Sequence, residues 1–321
     1  MHVFAKERAG GLSGILALPN GAPPADTFER VFKRLDGEAL AKCLQNYGQC
    51  LLPGLSEKQI ILDGRKLKGV SPTSLGNSGL YFLNAWVGEN KFCLGQRQAE
   101  DKSYEVTAIP GLLDSIDIAG ATVAIDTIGT QRKTAEQIRN KNAHCLLSVK
   151  GNQQELLDDM ECAFKTHKGY GYYEELDCGH GRIETRKCSI LRAEAYLLEE
   201  NLLPWKDIYA LVKAESTRKQ NGVQGKGVRC FISGENVGKA RCYNSLVRGH
   251  WPIENSLHWH LDVTLKEDAC RTGSGHAPGN LSVIRKFALQ LMAKQNDKPS
   301  LKKRLYKAAL DINCLKKIIR V

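Results

Sequence analysis

Apolar residues set out the elements of this chain before any single motif does. After Pro23-Pro24-Ala25-Asp26, they recur at helical spacing through Phe28, Val31, Phe32 and Leu35. Asp26 and Glu29 have the spacing of a capping box, with Asp26 as the cap. Gly37 breaks that run, and a second helix follows through Leu40, Leu44 and Tyr47. From Gln59 the period shortens. QIILDGRKLKGV opens with an apolar run that reads as a buried strand turning at Asp63-Gly64. LYFLNAWVG and KFCLGQRQA read as two further strands joined by a hairpin at Gly88-Glu89-Asn90. SYEVTAIPGLLDSI reads as a helical segment interrupted near Pro110, and ATVAIDTIG as a strand terminating in Asp126. TAEQIRNKN, HCLLSVKGNQ and QELLDDMECAFKTH then read as helix, strand and helix.

Beyond these the text becomes strand-like in GRIETRKCSIL, DIYALVKAEST and VRCFISGE, with the Gly/Lys/Gln-rich stretch 218–227 expected as an exposed loop. Residues 238–249 and 253–265 read as helices, Pro252 being tolerated in a first turn, and another helix runs from Asn280 to about Lys294. Hairpin strands followed by alternating helices and strands predict an α/β fold, a mixed sheet with helices on its faces. His250, Glu254, His258 and Asp262 recur at spacings of four around the start and along the length of the 253–265 stretch; residues four apart on a helix share a face, so the row would set four metal-capable side chains on one face.

Composition narrows the class. The 321 residues are 42% hydrophobic and 25% charged, ordinary for a globular protein with a sizeable core. No apolar run approaches the roughly 18 residues of a membrane helix, and no signal-peptide core opens the chain, so a cytoplasmic protein without a membrane partner is expected. The net charge of +11 favours polyanions, because Lys and Arg contacts to phosphate dominate non-specific nucleic-acid affinity. Nine Lys or Arg residues against two Asp lie between Lys294 and Val321, among them Lys302, Lys303, Arg304 and Lys307. These form either a solvated helix face or a DNA-backbone contact. The eleven cysteines have no C-x-x-C spacing, which argues against a zinc ribbon and a secreted disulfide framework. Cys178 with His180, or Cys162 with His167, fits no usual zinc pattern.

The candidate chemistry rests on carboxylates. Asp63 and Asp126 each close an apolar run, where a side chain is rigidly held, and Glu254 comes from a helix. Two strand aspartates and one helix glutamate suit a two-metal phosphoryl-transfer site, in which Mg²⁺ takes a few carboxylates plus water and phosphate oxygens. With 35 acidic residues in the chain, spacing alone leaves this triad as one option among several.

The wording is more specific than the spacing. PPADTFERVFKRLD, IILDGRKLKG, VAIDTIGTQRKTAEQI, LLSVKGNQ, GHGRIETRKCSI, HWPIENSLHWHLDVTLKEDACR and APGNLSVIRKFALQLM occur in that order across nearly the whole chain. Together they resemble the H-repeat-associated (ISAs-type) insertion-sequence transposases of the DDE superfamily. The resemblance implies a ribonuclease-H-like mixed sheet flanked by helices, with Asp63, Asp126 and Glu254 as catalytic and metal-binding residues. It also implies a β-rich insertion at about 175–237 before the last catalytic helix, inside a catalytic domain of 56–321. A short helical N-terminal region, 1–55, would precede that domain. Family members carry further DNA-binding residues ahead of the segment seen here, so a truncated or misplaced start is expected.

The implied cofactor is Mg²⁺, with Mn²⁺ tolerated. The implied partners are double-stranded DNA, at element ends and target, and further copies of the chain in a dimer or higher multimer on that DNA, with nucleoid association when bound. Glu267-Asp268 is an alternative source of the third carboxylate. His250 and His258 either orient phosphates near the metals or serve packing and capping. Asp262 and Asp268 are candidate supports for the metal ligands. Lys150, Asn152 and Gln153 either approach DNA or form a polar turn. Arg182, Arg186 and Arg248 are phosphate contacts or salt bridges, and Trp251 and Trp259 are core or DNA-stacking residues. The expected activity is metal-dependent DNA cleavage and strand transfer; a catalytically silent DNA-binding relic and a nuclease acting on RNA–DNA hybrids are the alternatives.

Overall fold

The computed structural model describes residues 1–50, 52, 54–70, 80–99, 105–167, 171–179, 181–197, 199–202, 204–236 and 238–319. His180, one of the residues considered for zinc, lies outside them. Four helices open the chain: α1 (His2–Glu7), α2 (Ala9–Leu12), α3 (Ala25–Arg34) and α4 (Gly37–Cys50). Pro24, extended at φ −64°, takes the N-cap position of α3, so Asp26 lies inside the first turn and does not cap it. Asp36 caps α4 instead, its Oδ1 accepting from the amides of Glu38 and Ala39. The helices α3 and α4 then dock on α11 (Ala277–Ala293), where Asn280 Nδ2 donates to the carbonyls of Phe32 and Leu35.

Among the described residues the centre is a nine-stranded mixed sheet in the order β3-β2-β1-β4-β5-β9-β8-β7-β6. Its first five strands are β1 (Gln59–Leu67), β2 (Leu80–Val87), β3 (Phe92–Ala99), β4 (Thr122–Ile125) and β5 (His144–Val149). The strands β1, β2 and β3 form an antiparallel meander, while β1, β4 and β5 run parallel. Parallel neighbours require crossovers. The helix α5 (Glu105–Ser115) precedes β4, and α6 (Arg132–Asn140) links β4 to β5. Pro110 sits at the middle of α5 without interrupting it, forgoing a single amide donor.

Four antiparallel strands extend the sheet beyond β5: β6 (Gly171–Gly179), β7 (Arg182–Arg192), β8 (Ala210–Gln220) and β9 (Val223–Ser233). The helix α7 (Gln154–Thr166) precedes them, and the short α8 (Ala193–Tyr196) and α9 (Glu199–Leu202) lie between β7 and β8. Residues 218–227 are not a loop: β8 and β9 pair up to Gln220–Val223 across Asn221-Gly222, at φ 50° and 78°. Two positive φ angles in an Asn-Gly pair make a tight hairpin whose twist matches the strands.

Both sheet faces are covered. Ile60, Leu62, Val123 and Leu147 face a large core that also holds Ile109 and Leu112 of α5, Ile138 of α6 and Met160 of α7. Ile61 and Trp86 face the other way, against Ile253, Leu257, Leu261 and Leu289. That second face carries α10 (Ala240–Gly249), a helical run at 252–264, α11, α12 (Leu301–Leu310) and α13 (Ile312–Ile319). Arg304 in α12 is buried: its guanidinium donates to the carbonyls of Met292, Gln295 and Asp297 and to the Asp297 carboxylate. It closes the end of α11 and so does not belong to an exposed basic face; Lys302, Lys303 and Lys307 do. No helix among the described residues is long and apolar enough to cross a membrane.

Candidate metal centre

Strand parity decides which side chains meet. Asp63 and Arg65 share the Ile61 face of β1, the face covered by the 252–264 run. Asp63 does not end its strand. The meander partner β2 keeps pairing as far as Leu67–Leu80, with Asn84 opposite Asp63. The parallel ladder with β4, however, stops at Leu62–Ile125. Asp63 and Asp126 therefore each lie one residue past the last parallel pair, on strands about 4.8 Å apart. This is the carboxyl end of the parallel strands, where open α/β sheets bind ligands.

The 252–264 run contains two wide i→i+5 turns, Glu254–His258 and His260–Thr264. Such turns concentrate at functional sites. Ile253, Leu257 and Leu261, four apart, are essentially fully buried against the sheet. Burial of each contributes about 1.5–3 kcal/mol. That row fixes the helix rotation, and the residues one position further on, Glu254, His258 and Asp262, are carried to its edge.

There Asp63, Glu254 and His258 come together, one ligand-capable atom of each lying within 4.8 Å of the others. His258 Nδ1 is 3.3 Å from Glu254 Oε2 and 3.6 Å from Asp63 Oδ2. Burial, outweighing the pull of Glu254, pushes the His258 imidazole down to about 4, so the ring is neutral at pH 7. Its buried Nε2 has no hydrogen-bond partner among the described residues, which favours the tautomer with the proton on Nδ1, shared toward Glu254. Asp126 lines one cavity with Asp63 and Glu254, of about 160 Å³, lined also by Ser148, Lys150, Arg229, His250 and Trp251. Asp126 Oδ1 accepts from the Thr127 amide at 2.7 Å and the Thr127 hydroxyl at 3.0 Å, and Lys150 Nζ lies 3.3 Å away. Burial opposes ionisation of Asp126, but these contacts together outweigh it and hold the carboxyl below its usual range. His250, just past the end of α10, is also pushed below its ordinary value, chiefly by burial and partly by Arg229 and Lys150.

The other sequence candidates separate. Glu267 is buried away from the cavity, facing Arg65 at 3.5 Å and Arg285 at 4.0 Å, which removes it as the third carboxylate. Asp262 and Asp268 both contact Arg65 rather than the cavity. Asn152 and Gln153 donate to the carbonyls of Thr127 and Thr130, tying down the turn that follows Asp126. Arg186 pairs with Glu175, Asp177 and Glu184, Arg182 with Glu184, and Arg248 with Glu175 and Asp177. Trp251 and Trp259 are about half exposed and so are not core residues; the Arg229 guanidinium stacks 4.3 Å above the Trp251 ring. Asp63, Glu254 and His258 form the one group of potential metal ligands among the described residues, and Cys162 and His167 assemble no site. Arg65 and Arg229 went unrecognised in the sequence; the only signal for Arg65 is its position two residues after Asp63, hence on the same strand face.

The family described as "Transposase DDE domain" matches residues 57–290. A relative named "Putative transposase YncI", from Escherichia coli O157:H7, is 32% identical over 98% of this chain and 83% of its own length. The "H repeat-associated putative transposase YhhI" of Escherichia coli strain K12 is 30% identical over 94% of this chain and 81% of its own. Among solved structures, a piggyBac transposase synaptic complex with hairpin DNA aligns at 10% identity and a TM-score of 0.44, covering 83% of this chain and 55% of that one. The span of the family match and the near full-length relatives lead to one conclusion: this chain belongs to the DDE-domain transposases, together with the H-repeat-associated members.

Proposed function

We propose that this chain is a DNA transposase that cuts and rejoins DNA strands at a divalent-metal centre formed by Asp63, Asp126 and Glu254. The observation that carries this reading is the meeting of Asp63 and Glu254, from a central strand and a distant helix, in one cavity with Asp126. The donor set fits a hard cation such as Mg²⁺, with Mn²⁺ as substitute, because carboxylate oxygens predominate and the cavity leaves room for water and phosphate oxygens. When bound, such ions supply Lewis-acid activation of a water or a 3′-hydroxyl and stabilise the leaving oxygen.

The chain's own residues supply the rest. Asp63 is held because β1 is paired with β2 through it, opposite Asn84, and with β4 up to the residue before it. Asp126 is kept ionised by Thr127 and Lys150. Neutral His258 donates to Glu254 and orients its carboxylate without adding a charge. Arg229 and His250 line the wall that a phosphate would meet. The net charge of +11, with Lys302, Lys303 and Lys307 exposed on α12, supports a DNA partner. In this reading β6–β9 are an insertion between β5 and the Glu254 helix, inside a 56–321 catalytic unit that follows a helical 1–55 region. The protein works in the cytoplasm as a dimer or higher multimer on DNA.

The test is metal-dependent nicking of DNA carrying the element's own ends. Asp63→Asn, Asp126→Asn and Glu254→Gln each abolish nicking in Mg²⁺ and Mn²⁺ while circular dichroism stays unchanged. Cleavage retained by all three variants removes the site assignment. Wild-type DNA binding without any nicking identifies a silent relic instead.

A further inference from the structure

We propose that Arg65 is the positioning residue that sets the separation of Asp63 and Glu254, and through it the affinity of the centre for metal. This rests on the metal-centre reading above. Arg65 stands two residues past Asp63 on the same face of β1, and its side chain is only 7% exposed. One arm of the guanidinium, Nη1, donates to the carbonyl of His258 at 3.0 Å. The other, Nη2, donates to Asp262 Oδ1 and lies 3.4 Å from Asp268 Oδ1 and 3.5 Å from Glu267 Oε2.

The planar fork explains why arginine is used. It presents several donors in fixed directions, so one side chain grips a backbone carbonyl and carboxylates together. The carbonyl it grips is that of His258, the last residue of the wide turn that begins at Glu254. Asp262 lies in the next wide turn, and Asp268 just beyond the helix. Arg65 thus fixes both the height and the rotation of the turn carrying Glu254 and His258 relative to the strand carrying Asp63. A second buried cation steadies the strand side: Lys286 donates to Asn84, the cross-strand neighbour of Asp63, and to Gln96.

If Arg65 merely neutralised buried acids, its loss would lower stability and leave metal affinity alone. The two roles separate in a measurement of Mn²⁺ binding to the full chain without DNA, by calorimetry, alongside thermal unfolding. The variants are Arg65→Lys, which keeps the charge and loses the fork, and Asp262→Asn, which weakens one anchor at a partly exposed position. Loss of an outer support commonly lowers metal affinity about 10–100-fold. Arg65→Lys is therefore expected to weaken Mn²⁺ binding about ten-fold or more. Its half-saturating metal for nicking rises in parallel, and the rate at saturating metal recovers. Asp262→Asn shifts in the same direction by about three-fold, a smaller loss because the guanidinium keeps its other partners. Mn²⁺ affinities within two-fold of wild type in folded protein overturn the role of Arg65 alone. If Arg65→Lys does not fold, Asp262→Asn decides on the same criterion. Wild-type protein that binds no Mn²⁺ overturns the metal-centre reading and this inference with it.

Discussion

Acidification of the metal-free protein isolates His258. Its imidazole lies at about 4 in the folded chain, pushed down mainly by burial, against an ordinary 6.5. The sign follows from linkage. Above pH 6.5 the ring is neutral in both states and contributes nothing to the pH dependence. Below it the unfolded chain takes up a proton that the folded chain refuses, so stability falls as pH falls, until the folded form also protonates near pH 4. At about 1.36 kcal/mol for each pH unit between the two values, the loss is about 2 kcal/mol at pH 5 and about 3 kcal/mol at pH 4. Other groups also titrate there, so the comparison is with His258→Gln, whose amide can still donate to Glu254 and never charges. Urea unfolding in the presence of a chelator, followed by circular dichroism from pH 7 to pH 4, should show wild type losing about 3 kcal/mol more than the variant. Parallel stability curves for the two proteins would falsify the buried, neutral assignment of His258 and the proton placement drawn from it.

Two further outcomes probe the surroundings of the site. Arg304→Ala leaves the buried Met292 carbonyl without its donor and should lower stability by about 2–3 kcal/mol, read as a lower urea midpoint. An unchanged midpoint with weakened DNA binding would return Arg304 to the basic surface. Gly69→Ala brings a Cβ within 2.4 Å of two backbone oxygens, those of Asp268 and Cys270, which cannot swing aside. The strain should cost about 1–3 kcal/mol and lower the thermal midpoint; unaltered unfolding would mean that the 268–270 segment yields freely.

The strands of the central sheet were legible because burial on both faces leaves continuous apolar runs, as in β1, β2 and β4. The far strands were less so. The strand β6 alternates partly buried and exposed positions and carries Glu174, Glu175 and Asp177. Those acids are accommodated by Arg186, Lys187 and Arg248, cross-strand and helix partners that no local pattern reveals. In 218–227 the glycines suggested a loop, yet Asn221-Gly222 was a sufficient hairpin signal and the remaining residues pair. Of the carboxylates, Asp126 was placed correctly at a strand end by its apolar run. Asp63 reads as a strand end in the sequence and is not one, since continuation of β1 depends on β2.

What the sequence determined by itself is the strands of the central sheet and most of the helices, the family, and the acids that chemistry would select. An apolar period is a local property, and the spacing of Ile253, Leu257 and Leu261 already fixes which neighbours flank the buried stripe. Which of those neighbours meet was decided only by the tertiary structure. His258, rather than the whole row from His250 to Asp262, joins Asp63 and Glu254; Asp262 turns to Arg65, and Glu267 is buried beside the same guanidinium. The physical reason is distance along the chain. The partners of Arg65 lie 193 to 203 residues away, and only the register of β1 against β4 and the seating of one helix on that sheet bring them within reach.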